Sequence, residues 1–537
     1  MLNKGQWILA ASFIAVIFGG SFAFWWVEDG WTWLDALYMT IISVTTVGYG
    51  EVQPLSSAGR VVAMIVLLAG LGIFGFVISQ VTSYAVGGAL EGSVQRRRTA
   101  ASARKLSGHT VICGLGGRGY ALAYGNSRCV VIEPNSENPV AAEEKKNKRL
   151  VLHGNAQYAE FLKMSGAERA KQIIVVAGKD SDNLEIAGTI REHLGAASPV
   201  QVIAAVEAYA TRDCFADPLH LKGIDLFGFR EQSLLELAQS LALDFAQEWD
   251  RLPEQPLSIV LQVDGPLLEE VIRVFAMVFQ LGGLKPLNIV AYGVSQESRS
   301  NFEARFPEYE RCCLVTWHEA EFTVAADGVM PPDFAFFFAN SVTRVTELAQ
   351  RCIRSIPGMS PSRVYACLEQ SGATAKIARE LANGGNGPCI VSLYDLLARK
   401  DGLVSYAMDD EGCKMHEAYR STAEHAVSPW EELSEFHRNS NRLAALQQAV
   451  YKRVWAVCSV TSDKVELLEF LSQCEHLRWM AFHLMCGYRL DQRQCHRDQW
   501  QRLKVHPNLL GYEALSEEDR EKDRVNVRAA LAGICDL

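Results

Sequence analysis

Two long stretches of this 537-residue chain contain no charged residue, although charged residues make up 21% of the whole. The first covers residues 5–27 and the second covers residues 61–90. A helix that crosses a bilayer needs about 20 predominantly apolar residues, and both stretches are long enough. A cleaved signal peptide has a shorter apolar core and a small-residue cleavage site, and the Phe-Trp-Trp end of the first stretch argues against one. Each stretch therefore predicts a membrane-spanning helix.

The chain also has no excess of positive charge and no clustered cysteines. The net charge of −10 gives no reason to expect a nucleic-acid partner. The 14 cysteines are scattered and none precedes Cys113, so we expect reduced thiols in a cytosolic body. Their spacings, and those of the nearby histidines, fit no standard zinc site, and we predict no bound metal.

Basic residues lie before the first uncharged stretch and after the second. Lys4 precedes the first stretch and a run of arginines at 96–98 follows the second. The segment between them is mostly acidic, with Glu28, Asp29, Asp35 and Glu51. Cytoplasmic loops carry the excess of basic residues, so both termini are predicted to be cytoplasmic in a multi-pass protein of the cell membrane. The bilayer is then the first expected partner, and the arginine run would meet anionic lipid headgroups.

The segment between the stretches holds a short pattern suited to binding a dehydrated cation. Its residues are Thr46, Val47, Gly48, Tyr49 and Gly50. A K⁺ ion that enters a pore loses its water, and backbone carbonyls from four chains on one axis can replace that water. Gly48 and Gly50 permit the backbone angles that aim successive carbonyls inward. Residues 34–45, directly before the pattern, read as a short, mostly apolar helix.

With this order of span, short helix, filter and span, residues 1–90 resemble the pore of two-span prokaryotic potassium channels. The resemblance implies a homotetramer that holds K⁺ in the filter and conducts it passively. The family usually has aspartate directly after the filter, where this chain has Glu51, so filter stability is the property in question. A glycine of the inner helix is the family's gating hinge, and Gly70 stands at the matching place. Close packing of helices is the alternative interpretation of Gly70.

After a polar linker at 91–107, the pattern changes to that of a dinucleotide-binding fold. A short apolar strand at 110–113 is followed at once by Gly114, Gly116 and Gly119 in a G-x-G-x-x-G pattern, and the next strand ends on Glu133. The glycines make a tight turn and admit a phosphate against a helix N-terminus, while the acid can accept hydrogen bonds from ribose hydroxyls. Further strand and helix units predict a doubly wound parallel sheet. An empty, purely structural turn is the alternative.

A Rossmann unit behind such a pore resembles an RCK domain, the regulator of K⁺ conductance, over residues 108–250. The resemblance implies bound NAD(H) or an adenine nucleotide, contacts between RCK domains of the four chains, and a nucleotide contact at Asn155, where the family often has aspartate. Some members bind Ca²⁺ with acids near the fifth strand. Here Glu207 is the one carboxylate there, which makes a poor calcium site.

The rest of the chain divides into two further predicted domains. Residues 256–410 look like a second, degenerate RCK-like Rossmann domain, because Asp264 and Pro266 in its first turn would obstruct a pyrophosphate. Residues 425–537 have a mostly helical pattern that is similar to the repeat (RyR) domain of ryanodine receptors. This resemblance implies a module that binds a ligand or serves in packing. The candidate ligand contacts are Glu475, Arg478 and Trp479. A structural role for the Arg-Trp pair is the alternative.

The predicted fold class is an α-helical tetrameric membrane pore of two spans and a pore helix, followed by α/β Rossmann-like RCK domains and a mostly α C-terminal domain. The predicted function is a ligand-gated potassium channel, not an enzyme, whose cytoplasmic ring binds a nucleotide. One alternative is a membrane-anchored enzyme that uses NAD or another nucleotide. The other is a potassium channel whose sensor is the RyR-like domain, with the Rossmann nucleotide structural.

Overall fold

The structure is a computed structural model and divides into two compact units, Met1–Thr99 and Ala100–Leu537. It describes residues 4–45, 47–70, 97–126, 128–141, 149–220, 222–247, 255–282, 284–323, 331–369, 387–397, 409–422, 427–491 and 497–532. The domain boundaries within these units stay predictions.

Up to residue 70, the described part of the first unit contains three helices around a small apolar core. They are α1 (Lys4–Val27), α2 (Trp33–Val44) and α3 (57–70). A capping box starts α2, because the Thr32 hydroxyl accepts from the Asp35 amide and the Asp35 carboxylate accepts from the Thr32 amide. The core residues are Phe24, Trp31, Ala36, Met39, Ile42, Val44, Leu55 and Val66.

The predicted helices of this unit fall on observed ones. The first uncharged stretch lies within α1, and the short helix predicted at 34–45 corresponds to α2. The second uncharged stretch is helical up to residue 70, and its remainder lies outside the described residues. Within the described ranges, no helix combines the length and the apolar character needed to cross a membrane.

Two acidic side chains organise the start of α3. The buried Glu28 carboxylate accepts hydrogen bonds from the Ser56 amide at 3.0 Å and the Ser56 hydroxyl at 2.9 Å. Glu51 accepts from the Leu55 amide at 3.3 Å. A Cβ at Gly59 would lie 1.7 Å from the Glu28 oxygen, so only glycine leaves room for this carboxylate. A negative charge at a helix N-terminus is favourable, and the contact fixes α3 against the end of α1.

Helix α4, at 97–103, covers part of the predicted linker, and its residues from Ala100 onward belong to the second unit. Ala100 and Ala103 of α4 are buried against Val130 and Leu152, which belong to the strands that follow. This part of the linker therefore packs directly on the first sheet.

The first sheet has six parallel strands in the order β3-β2-β1-β4-β5-β6. The strands are β1 (Thr110–Cys113), β2 (Cys129–Glu133), β3 (Leu150–His153), β4 (Gln172–Val175), β5 (Gln201–Ala205) and β6 (Ile224–Phe227). The helices are α5 (Gly117–Gly125), α6 (Ala159–Ser165), α7 (Asp180–Leu194), α8 (Tyr209–His220) and α9 (Phe229–Ala246). The order is that of a dinucleotide-binding Rossmann fold, and the predicted doubly wound parallel sheet is confirmed.

A second six-stranded parallel sheet repeats this topology, in the order β9-β8-β7-β10-β11-β12. The strands are β7 (Ser258–Val263), β8 (Leu287–Tyr292), β9 (Cys313–Trp317), β10 (Phe334–Phe338), β11 (Val364–Leu368) and β12 (Cys389–Ser392). The helices are α10 (Leu268–Val278), α11 (Gln296–Arg305), α12 (Val342–Ser355) and α13 (Leu393–Leu397). The central strands are buried along their length, which explains their continuous apolar sequence.

The described part of the C-terminal region is mainly helical. Its helices are α14 (Asp409–Thr422), α15 (Glu435–Cys458), α16 (Lys464–Leu484), α17 (Arg497–Leu503) and α18 (Glu517–Leu531). Two short strands, β13 (Arg489–Leu490) and β14 (Val505–His506), pair in parallel. Asp463 caps α16 by accepting from the amides of Val465 and Glu466.

A buried ionic junction joins the two Rossmann-like parts and the C-terminal region. Glu231, in the first turn of α9, pairs with Arg212 and lies 3.1 Å from Nη2 of the buried Arg273. Arg273 also donates through Nε to the Met485 carbonyl at 3.1 Å, and its guanidinium lies 3.9 Å from the centre of the Tyr209 ring. Burial would raise the pKa of Glu231, but the charges of Arg273 and Arg212 outweigh it and lower the pKa.

We expect Glu231→Gln to destabilise the protein strongly. Removing one member of a buried ion pair leaves the partner charge unpaired, which costs about 3–5 kcal/mol. Glu303→Gln, which removes the exposed pair with Arg299, serves as the control and is expected to leave the melting temperature unchanged. Thermal unfolding of the full chain in detergent, followed by circular dichroism, measures both. Equal melting temperatures for the two variants would contradict the junction's role.

Candidate functional site

The loop after α2 has the backbone shape that its glycines predict. The amides of Val47 and Gly48 both donate to the Ile42 carbonyl, at 3.0 and 3.2 Å, so the loop turns back on the C-terminal end of α2. Gly48 has φ of +63° and Gly50 has φ of +114°, both in the region that favours glycine. Thr46, the first residue of the predicted filter, lies outside the described residues. The side chains of Val47 and Tyr49 are exposed in the single chain.

Gly70 lies at a close approach of α3 to the end of α2. A Cβ at this position would stand 2.9 Å from the Val44 Cα. This is the packing role that was one of the two interpretations of Gly70. The hinge role stays a prediction.

The three glycines of the G-x-G-x-x-G pattern have three different surroundings. Gly114 has φ of +105°, and a Cβ there would lie 2.8 Å from the Ala177 Cα. A Cβ at Gly119 would lie 2.0 Å from the Gly114 carbonyl oxygen, so α5 packs on its own loop only with glycine at this position. Gly116, the N-cap of α5, has no atom within 4 Å of an added Cβ. The space beside the helix N-terminus is therefore open at Gly116 and closed at the other two glycines.

Glu133 fixes the shape of this loop from the end of β2. Its buried carboxylate accepts from the Leu115 amide at 2.7 Å and from the Asn135 amide at 2.9 Å. Asn138 adds a hydrogen bond from its side-chain amide to the Leu115 carbonyl at 3.1 Å. Each carboxylate oxygen has a further lone pair, so these contacts leave acceptor capacity.

Asn155 lies at the end of the neighbouring strand β3. Its Oδ1 accepts from the Gln157 amide at 2.9 Å and its Nδ2 donates to the Gln157 side chain at 2.8 Å. The preceding Gly154 donates its amide to the Glu133 carbonyl at 3.0 Å. The structure thus brings Glu133 and Asn155 to the same edge of the sheet as the glycine loop.

Sequence reasoning missed the connection made by Arg118 at the start of α5. Arg118 Nη1 lies 3.2 Å from a carboxylate oxygen of Glu207, and Glu207 also accepts from the amides of Phe229 and Arg230 at 3.2 Å each. Arg230 in turn pairs with Glu369 at 2.5 Å, just after β11 of the second sheet. The sequence contained an indication of this ion pair. A cation at a helix N-terminus is unfavourable because of the helix dipole, so Arg118 at this position indicates a nearby acidic partner.

The corresponding turn of the second sheet is arranged differently. Gly265 has φ of +104°, and the adjacent Asp264 forms an ion pair with Arg344 at 3.3 Å. A carboxylate stands where a phosphate would have to bind. The degenerate phosphate loop of the second sheet stays a prediction.

The three C-terminal candidates lie together on the wall of a cavity. Arg478 forms a two-pronged pair with Glu475, with both nitrogen–oxygen distances 2.9 Å, and the Tyr451 hydroxyl donates to Glu475 at 3.0 Å. Trp479 is half-buried beside them. Among the residues that the structure describes, no group of three or more histidine, cysteine or acidic side chains could hold a metal ion.

His476 is held between two acceptors in the same region. Its Nδ1 lies 3.2 Å from Asp523 Oδ2 and its Nε2 lies 2.8 Å from the Leu510 carbonyl. Burial would lower the pKa of His476, but the Asp523 carboxylate outweighs burial and the pKa is raised. Burial also raises the pKa of Asp523, which opposes an ion pair. The direction for His476 agrees with its geometry, because a ring with two acceptors needs both N–H groups.

Comparison with known proteins identifies two family segments. An ion-channel family model matches residues 11–86, and a TrkA-N domain model matches residues 110–225. Together the two segments cover the first unit's helices and most of the first sheet.

Relatives of similar sequence are named potassium channels. Potassium channel protein 1 of Methanocaldococcus jannaschii is 28% identical over 162 residues, which are 29% of this chain and 49% of that one. Probable potassium channel protein 2 of the same organism is 30% identical over 172 residues, 31% of this chain and 50% of that one. The calcium-gated potassium channel TvoK of Thermoplasma volcanium is 27% identical over 150 residues, 27% of this chain and 40% of that one. The chain thus spans half or less of the length of these relatives.

The solved structures that are similar include the GsuK channel, at 17% identity and a TM-score of 0.36, over 74% of this chain and 96% of that one. GsuK bound to NAD is 14% identical with a TM-score of 0.34, over 74% of this chain and 82% of that one. A likeness at this TM-score carries no weight for the fold or the function of this chain.

We expect Gly119→Ala to destabilise the first Rossmann-like part, while Gly116→Ala does not. The Gly119 methyl group would overlap the Gly114 carbonyl, and such overpacking costs about 1–3 kcal/mol. The Gly116 methyl group would enter open space, and we expect a change within about 0.5 kcal/mol. Urea unfolding of the full chain measures both. The steric assignment fails if the two variants unfold at the same urea concentration.

We expect His476→Gln to remove a pH dependence of stability that begins above pH 6.5. Because the folded pKa of His476 is raised, its stabilising contribution is complete below the unfolded value of 6.5 and is lost as pH rises through the folded value. His483→Gln is the control, because burial lowers the pKa of His483 to about 3 and keeps it neutral over this range. Melting temperatures from pH 6 to 9 should fall for the wild type and the control and stay flatter for His476→Gln. A wild-type slope that His476→Gln retains would contradict the assignment.

Proposed function

We propose that this protein is a potassium-selective channel whose pore is opened or closed by a nucleotide bound to the first Rossmann-like part. The observation that carries the proposal is the loop after α2, where left-handed Gly48 and Gly50 alternate with exposed Val47 and Tyr49. It lies inside the segment that the ion-channel family model matches.

The conduction step follows from the chemistry of this loop. Four copies of the chain around one axis would present the carbonyls of residues 46–49 to the ion, and the Thr46 hydroxyl would add a further oxygen. These oxygens replace the water that K⁺ loses on entry, so that entry and exit have similar energies. Tetramerisation would also cover Val47 and Tyr49, which the single chain leaves exposed. No covalent reaction takes place, and the chain is not proposed to be an enzyme.

The channel would sit in the cell membrane with both termini in the cytoplasm. The apolar stretches at 5–27 and 61–90 would cross the bilayer, and the inner one would bend near Gly70. Glu28 and Ser56 would hold the outer end of the inner helix, because their hydrogen bonds tie α3 to α1. The cytoplasmic parts of four chains would contact one another as a ring.

The nucleotide is proposed to bind at the loop that follows β1. The open space at Gly116 adjoins the N-terminus of α5, where backbone N–H groups and the helix dipole favour a phosphate. Glu133 and Asn155 lie along the same edge and could bind ribose hydroxyls or phosphate oxygens. NAD(H) and adenine nucleotides both have the required pyrophosphate or phosphate next to a ribose. The TrkA-N match over 110–225 supports this use of the loop.

Arg118 gives the nucleotide a way to influence the rest of the unit. A phosphate at the start of α5 would compete with Glu207 for the Arg118 guanidinium, since both are anions beside it. Loss of that pair would change the environment of Glu207, which holds the N-terminus of α9. The change could also reach the linker, because Ala100 and Ala103 pack on β2 and β3.

The energy required is modest. A shift of the pore from 1:99 to 99:1 needs a preference of about 5.5 kcal/mol for one state, or roughly 1.4 kcal/mol for each of four equivalent sites. The nucleotide must bind one ring conformation more tightly than the other by that amount.

We expect nucleotide-dependent K⁺ flux that Gly116→Asp abolishes. The protein is reconstituted in liposomes, and K⁺ and Na⁺ flux are measured with NAD⁺, NADH, ATP, ADP and cyclic nucleotides. An aspartate at Gly116 fits sterically but places a negative charge where the phosphate would bind. Gly188→Asp, in an open position of α7, is the matched control and should respond like the wild type.

Two outcomes would contradict different parts of the proposal. K⁺ flux that does not change with any of the nucleotides would refute the gating role of the glycine loop but not the proposed potassium-selective pore. Flux that does not distinguish K⁺ from Na⁺ would refute the potassium-selective pore itself.

A further inference from the structure

The C-terminal region contains a cavity of about 800 Å³ that the conduction and gating proposals do not use. Its walls come from α14, α15, α16, α17 and α18 together with the segment around β14. Protein interiors are otherwise packed as densely as organic crystals, and small-molecule sites have volumes of about 300–1,000 Å³. The cavity therefore has the size of a binding site rather than of a packing defect.

One part of the wall is made of aromatic rings. The Trp479 ring centre lies 4.9 Å from that of His506, which lies 4.6 Å from that of Trp500. Elsewhere on the wall, Phe436 and Tyr488 stack at 4.9 Å. Aromatic side chains that line a cavity favour a flat ligand, because stacking gains energy without a hydrogen-bond partner.

A buried nitrogen in the wall has no partner among the described residues. Arg478 uses Nε and Nη2 to hold Glu475, while its buried Nη1 makes no hydrogen bond. Only about 3% of its side chain is exposed. An unsatisfied buried donor of this kind is costly, and an acceptor oxygen on a ligand would relieve the cost.

The charges of the wall argue against a polyphosphate. Besides five histidines, the wall has the basic side chains of Arg478 and Lys522, and both are already paired with acids, Arg478 with Glu475 and Lys522 with Asp519 at 2.7 Å. Glu432 adds a further acid to the wall, and Asp523 is paired with His476. A triphosphate or a dinucleotide would bring several more negative charges into this surrounding, whereas an uncharged ligand would not.

Amide side chains complete the lining. Asn441 and Asn526 face the cavity from α15 and α18, and Asn441 uses its amide nitrogen on the His437 carbonyl. Each carboxamide carries both a donor and an acceptor, which is the pattern needed to read the edge of a nitrogen heterocycle.

We propose that this cavity binds a planar nitrogen heterocycle without a phosphate chain, such as a nucleoside or a free nucleobase. The ring stacks on the Trp479 side of the wall, and an oxygen of the ligand accepts from Arg478. The site is separate from the glycine loop, and it differs from that loop in excluding polyphosphates. The inference therefore goes beyond the proposed nucleotide gating and does not depend on it.

Equilibrium dialysis of the full-length protein in detergent tests the site. Radiolabelled adenosine, guanosine, cytidine and uridine are each dialysed against protein that carries Gly116→Asp, so that the glycine loop does not contribute. Ser440→Trp places a large ring in the cavity from α15, and Asn526→Trp does so from α18. Ala456→Trp, at an exposed position of the same helix α15, is the matched control.

We expect at least one nucleoside to bind, with one site per chain. Ser440→Trp and Asn526→Trp should each weaken that binding by about tenfold or more, equivalent to about 1.4 kcal/mol, while Ala456→Trp should change it less than twofold. The triphosphate of the same nucleoside should bind more weakly than the nucleoside itself. Melting temperatures of the variants show whether each is folded.

The proposal is overturned if no nucleoside binds, if binding survives both filling variants, or if the triphosphate binds more tightly. None of these outcomes depends on K⁺ flux. Nucleoside binding in a protein whose flux ignores every nucleotide would refute the proposed gating and leave the cavity site standing.

Discussion

The Glu231 carboxylate is shared by the guanidinium groups of Arg212 and Arg273 in the interior of the larger unit. Arg273 comes from the second sheet's first helix and also holds the Met485 carbonyl at the end of α16. One acid thereby joins both Rossmann-like parts to the C-terminal region. Separating a buried ion pair, or removing one member of it, costs several kcal/mol. The three parts are therefore constrained to keep their relative positions at this point. Motion in this unit must then occur elsewhere, or by moving the three parts together.

Helix α9 connects the Glu231 junction to the glycine loop. The amides of Phe229 and Arg230 donate to Glu207, which is paired with Arg118 at the start of α5, and Glu231 lies in the same first turn of α9. A ligand that draws Arg118 away from Glu207 would therefore act on the same helical turn that carries the junction. At the phosphate site proposed for the glycine loop, the space at Gly116 is open while the spaces at Gly114 and Gly119 are closed. The open space at Gly116 and the Arg118–Glu207 ion pair thus lie together at the start of α5.

The features that could be predicted from the sequence are the local ones. The strand, the three glycines and Glu133 lie within 24 residues, and their spacing alone indicates the turn that the structure shows. The backbone angles of Gly48 and Gly50 follow in the same way from a short pattern. The junction could not be predicted, because Glu231 and Arg273 are 42 positions apart and meet only after two sheets have formed. The role of Glu28 at the start of α3 was missed for the same reason, since Ser56 is 28 positions away.

The ligands proposed for the cavity and for the glycine loop differ in charge. The loop offers a helix N-terminus that favours phosphate, while the cavity has acids whose basic neighbours are already paired. Both sites contact α9, the loop through Glu207 and the cavity through α15, where the Gln239 side chain donates to the Leu446 carbonyl at 3.4 Å. If each ligand prefers one arrangement of that helix, their effects on each other's affinity are equal by thermodynamic linkage. A cell could then set the pore with two chemically different molecules without either competing for the other's site.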